Sequence, residues 1–95
     1  MATENTWVHA PTEKLDYTWP WSDWLPPGDH VKTYTLTPQS GVTKVTEGMA
    51  SDDVTAVLAV DPALPFGTER TVLCHIVTIA GLEADATLTL VIGRK

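Results

Sequence analysis

Leu15-Asp16-Tyr17-Thr18-Trp19-Pro20-Trp21-Ser22-Asp23-Trp24-Leu25 decides how the rest of the chain must fold, and it holds three of the four tryptophans. Laid out as an extended strand, whose side chains alternate between two sides, it turns Leu15, Tyr17, Trp19 and Trp21 to one face. Asp16, Thr18 and Pro20 fall on the other. Each aromatic buries roughly 150–250 Å², so this face is expected to supply much of a hydrophobic core. Pro20 has no N–H to give to a neighbour, which suits an edge strand or a bulge. Ser22-Asp23 then turns the chain so that Trp24 and Leu25 fold back, and Pro26-Pro27-Gly28-Asp29 ends the element. Aromatic rows also form platforms that stack on sugar rings, so a carbohydrate-binding module is the competing reading; Leu15 at the same period favours core.

Outward from this stretch the chain reads as further short strands. Residues 31–37 interleave Thr with Tyr34 and Leu36, a β-type composition. Pro38-Gln39-Ser40-Gly41 breaks the chain, and residues 42–47 form a short strand that Gly48 is expected to end. Ser51-Asp52-Asp53 resembles a helix cap, yet Val54, Ala56, Leu58 and Val60 alternate, and Asp61-Pro62 stops the run. A helix that short is marginal, so 51–60 is read as a strand. Residues 71–78 and 85–92 are the clearest pair, joined into a hairpin by the Gly81 turn. Val72, Cys74 and Ile76 share one face; Leu73, His75, Val77 and Ile79 share the opposite one. Ala86, Leu88, Leu90 and Ile92 point one way in the last strand, with Asp85, Thr87 and Thr89 the other way. Several short strands, turns every 8–12 residues and no long helix give an all-β sandwich of roughly seven strands. Residues 1–12 show no helical or strand period and are read as an N-terminal arm, with 13–95 as the single domain.

The aromatic stretch also carries a family resemblance. Leu15-Asp16-Tyr17, then Trp21-Ser22-Asp23-Trp24-Leu25 and Gly28-Asp29, resembles small tailed-bacteriophage virion proteins with an immunoglobulin-like β-sandwich. Thr78-Ile79-Ala80-Gly81 looks like the turn joining that family's last two strands. The likeness spans residues 14–92 and is dense at its start; Trp19-Pro20 and Pro26-Pro27 depart from the pattern. It implies an immunoglobulin-like sandwich and a non-enzymatic structural protein of the virion, most simply a capsid decoration (cement) protein that stabilises the head lattice. The implied partners are the major capsid protein or another virion protein, and copies of itself. A tail or head–tail connector component is the alternative within the same class.

Composition sets limits. Ninety-five residues make one domain with one modest core. A net charge of −6 argues against a nucleic-acid partner, whose footprint is basic and clustered. No apolar run reaches about 18 residues, and the polar start does not read as a signal peptide. The expectation is a protein made in the host cytoplasm, carried in the virion and independent of membranes. Cys74 is alone and has no internal disulfide partner.

No catalytic residue, cofactor site or metal site is expected. His9, His30 and His75 are scattered, without the paired spacing a zinc site requires. Asp52, Asp53 and Asp61 lack the ordered ligand loop of an EF-hand. Cys74 and His75 are adjacent on a strand and diverge, so they do not form a nucleophile–base pair, and Cys74 reads as a buried, inert thiol. Contacts with partners are instead assigned to five residues. Leu73, His75 and Val77 form the second apolar face of a strand that needs only one. Trp7 and Val8 are the only sizeable anchors of the arm, with Trp7 expected to insert into a neighbouring subunit.

Overall fold

The computed structural model describes residues 4–93. Seven strands run in chain order: β1 (Glu4–His9), β2 (Lys14–Trp19), β3 (Val31–Pro38), β4 (Val42–Ala50), β5 (Asp53–Val60), β6 (Glu69–Thr78) and β7 (Glu83–Ile92). They form a four-stranded sheet, β1-β7-β6-β3, and a three-stranded sheet, β2-β5-β4. All pairs are antiparallel except β1 with β7, which is parallel. The first strand lies beside the last, in the larger sheet.

The core sits between the sheets and follows the period-two pattern closely. Tyr17 and Trp19 on β2, Val54, Ala56, Leu58 and Val60 on β5, Val72, Cys74 and Ile76 on β6, and Leu88, Leu90 and Ile92 on β7 are all buried. The aromatic face of the opening stretch is therefore core, so it is not available as a sugar-stacking platform. Extended structure ends at Trp19; Trp21–Asp23 is a single 3₁₀ turn that keeps Trp21 buried and sets Trp24 edge-on to it, with ring centroids 5.5 Å apart. β2 is an edge strand and Pro20 just beyond it is exposed, the placement its missing N–H allows.

Two boundaries differ from expectation. Residues 4–9, read as part of a strandless arm, form β1, in register from Glu4 opposite Thr87 to His9 opposite Ile92. The first three residues of that arm lie outside the described ones. β4 continues through Gly48 to Ala50, with a register shift between Lys44 and Thr46 that absorbs its poor alternation. The turn after it uses Ser51 and Asp52, both at positive φ (51° and 69°), the signature of a two-residue type I′ hairpin. Gly81, at φ 91°, closes the β6–β7 hairpin in the same left-handed region.

Candidate functional site: two surfaces and a latch

The outer face of the four-stranded sheet is built from the residues that alternate with the core. Register places Thr87, Leu73 and Thr37 in one row, Asp85, His75 and Thr35 in the next, and Glu83, Val77 and Thr33 in a third. Val8 shares this face beside Val91. Four of the five expected contact residues (Val8, Leu73, His75 and Val77) thus lie on one surface. Val8 occupies a far corner, since its row meets β6 at Glu69, about 13 Å along the strand from Leu73. Trp7 does not join them. Adjacent strand residues point oppositely, and Trp7 turns inward at the sandwich edge, opposite Leu90.

His75 is the charged centre of that face. Its Nδ1 meets Asp85 Oδ1 at 2.5 Å and its Nε2 meets Glu83 Oε1 at 3.0 Å. A ring with a carboxylate at each nitrogen is best satisfied as the imidazolium, with both N–H groups donating. The hydrogen bond to Asp85, then that to Glu83, raises the His75 pKa above its ordinary value.

Trp7 lines a groove between the free edges of β1 and β2. The groove measures about 420 Å³ and is bounded by Trp7, Val8, Leu15, Asp16, Tyr17 and Thr18. Trp7 is 52% exposed and stands edge-on to Tyr17, with centroids 6.2 Å apart. Beneath it His9 is fully buried. The Glu13 carbonyl only accepts, so His9 Nε2 carries the proton and donates to it at 2.8 Å; Nδ1 then accepts from the Tyr17 hydroxyl at 2.8 Å. Burial, reinforced by the charge of Glu13, pushes the Tyr17 pKa up to about 12, so the hydroxyl stays a donor. The Glu13 carboxylate in turn accepts from the Ala10 N–H at 2.9 Å. These bonds latch the first sheet to the second where the chain crosses between them. Sequence reasoning placed His9 in a free arm; the only local signal was Glu13 four residues on, across a Pro11 turn.

At the end of the sandwich where β2–β3, β4–β5 and β6–β7 connect, three loops are tied together. His30 Nδ1 meets Asp52 Oδ2 at 2.8 Å, and Asp52 Oδ1 accepts from Val31 N–H at 3.0 Å. The Ile79 N–H donates to the His30 carbonyl at 2.9 Å, and Ala80 N–H donates to Asp29 Oδ1 at 3.1 Å. The Ser22 N–H donates to Asp53 Oδ1 at 3.0 Å. The hydrogen bond to Asp52 raises the His30 pKa and lowers that of Asp52. Burial would raise the Asp29 carboxyl, but hydrogen bonds from Thr78, Ala80 and His30 outweigh it and hold it low.

Cys74 lies wholly inside the core, where burial pushes its thiol up to about 11. Among the described residues no group of three or more His, Cys, Asp or Glu is placed to hold a metal ion. No described helix is long and apolar enough to cross a membrane.

Polar networks that brace its loops and edges around an apolar core make the chain an all-β sandwich of two sheets. The model of one family, podophage GP4 fiber-tail adaptor protein gp77, matches residues 9–91, and the chain belongs to that family. It is accordingly a structural protein of the phage virion, in a family that is structural rather than enzymatic. No curated protein matched the sequence. The match favours the tail-component reading of the sequence over capsid decoration, for which the family gives no support.

Proposed function

We propose that this chain is a fibre–tail adaptor, joining a fibre to the phage tail by protein–protein contact alone. The observation that carries the reading is the extent of the family match: residues 9–91 take in β2 to β6 whole and nearly all of β7. The matched unit is thus almost the complete sandwich rather than a loop or a local motif. Strand order supports assigning that sandwich to the immunoglobulin-like group. One partner sits on the outer face of the four-stranded sheet, against Leu73, His75 and Val77, with Val8 at the corner. Trp7 contributes from the adjoining edge, where half its surface is open.

Deleting the gene and imaging purified particles tests this. The expected particle has a normal, DNA-filled head and a tail without fibres. Fragile heads that still carry fibres would return the protein to capsid decoration and overturn the proposal. Complementing the deletion with Leu73→Asp then tests the face: the isolated domain should stay folded while fibre attachment falls.

A further inference from the structure

An adaptor needs a second surface, and the loop end carries one. Ile79 is 67% exposed and Leu82 is 43% exposed at the tip of the β6–β7 hairpin. Pro26 and Pro27 are exposed on the neighbouring β2–β3 connection. The hairpin tip is held in place: the Ile79 and Ala80 N–H groups are both anchored to the β2–β3 connection, which Asp52 ties to the β4–β5 turn. Apolar side chains are therefore held out to solvent on braced backbone, so covering them with a partner gains burial without ordering the loops first.

Charge says what kind of surface covers them. Asp23, Asp29, Asp52, Asp53, Glu83 and Asp85 gather at this end, six of the chain's twelve acids, against Lys32 alone among the described Lys and Arg. His30 and His75 offset two of these acids when protonated. The molecule measures 43 × 23 × 20 Å, so this excess sits at one tip of an elongated body. A negative tip repels phosphate backbones and anionic headgroups and is steered toward a positive protein surface.

We propose that this loop end docks into a protein partner that presents an apolar pocket with a Lys/Arg rim, the pocket receiving Ile79 and Leu82. The proposal rests on the adaptor reading and names the chemistry of one of its two partners. The contact has an apolar centre and a charged periphery, so its association is fast at low salt and its lifetime is set by the two aliphatic side chains.

The test uses the full chain, fluorescently labelled, with two probes: virions purified from the gene deletion, and the purified fibre protein. Binding is measured at 50 and 500 mM NaCl. The wild-type chain is expected to bind at least one probe and to weaken several-fold at high salt. Ile79→Ser/Leu82→Ser should weaken binding to that probe tenfold or more, and Asp23→Lys, on the exposed β2–β3 connection, should weaken it several-fold. Ala63→Lys, exposed on the β5–β6 connection at the opposite end, should bind like wild type. Thermal melts establish that each variant is folded, and Ile79→Ser alone replaces the double variant if that one is not. Wild-type affinity in both loop-end variants overturns this proposal and leaves the adaptor role standing. No binding of the wild-type chain to either probe overturns both.

Discussion

The indole N–H of Trp21 donates to the sulfur of Cys74 at 3.3 Å, joining the turn after β2 to the centre of β6 across the core. The sulfur is a weak acceptor, and both side chains lie in the buried core cluster between the sheets.

Cys74 should accordingly be unreactive in the native protein. It is fully buried, and burial holds the thiol at about 11, so the thiolate is scarce at neutral pH. Ellman's reagent is expected to titrate no thiol in buffer and one thiol in denaturing urea. Fast native labelling would show that the core opens locally at β6.

Trp21→Ala should be among the most damaging single changes, by about 3–5 kcal/mol, because it empties an indole-sized space and removes the Cys74 donor. Trp21→Phe keeps most of the volume and should cost less. Urea midpoints at constant m-value provide the comparison.

Tyr17→Phe should cost about 1–3 kcal/mol, although it removes a single oxygen, because His9 Nδ1 is then buried without its donor. The same change also frees the crossing between the sheets. Hydrogen exchange should therefore rise at β1 before it rises at β6.

The His–carboxylate pairs give stability a pH dependence with a definite sign. His30 and His75 have raised pKa values in the folded state, so their contribution is complete below about 6.5, the unfolded value, and fades as pH rises through the folded values. Asp29 and Asp52 are lowered, so theirs is complete above about 3.9 and fades as pH falls through the folded values. Melting temperature should form a plateau between those limits. His30→Gln/His75→Gln should flatten its alkaline shoulder and also shrink the acid side, since His30 is the first cause of the lowered Asp52 pKa, while the Asp29 share held by Thr78 and Ala80 stays.

Ser51→Asn should raise stability by about 0.5 kcal/mol, because the first turn position has φ 51° and Asn tolerates that conformation better than Ser. Asp52→Asn at the next position should do the opposite. It relieves the same strain but weakens the hold on His30 and Val31. Melting curves of the two single variants separate the conformational effect from the side-chain one.

The fold was legible wherever the apolar alternation was strong. Tyr17, Trp19, Val72, Cys74, Ile76, Leu88 and Leu90 all face inward as their spacing requires. β1 was not legible, for a physical reason: its inward residues among the described side chains are a half-exposed Trp7 and a polar His9, and its partner strand lies some eighty residues away. Burial of His9 depends on Tyr17 and Glu13 satisfying both ring nitrogens, a condition hydrophobic pattern does not register. Trp21 was read as a strand residue because its side chain faces the core; in the structure a 3₁₀ turn delivers it there. As for the surfaces, period two put Leu73, His75 and Val77 on a shared face. That Val8 joins them while Trp7 does not required the parallel register of β1 with β7.

The parallel pairing of β1 with β7 has a mechanical consequence. Glu4 opens β1 beside Thr87, and Ile92 closes β7 beside His9. Tension applied between residues 4 and 92 pulls the two strands past one another along their length. The hydrogen bonds of the ladder are then strained together, in shear, whereas a hairpin pulled from its open end breaks its bonds one after another. The His9–Tyr17 contact adds a lateral brace near the end of β1. A module that holds a fibre while the fibre is tugged would resist extension along this axis far better than across it.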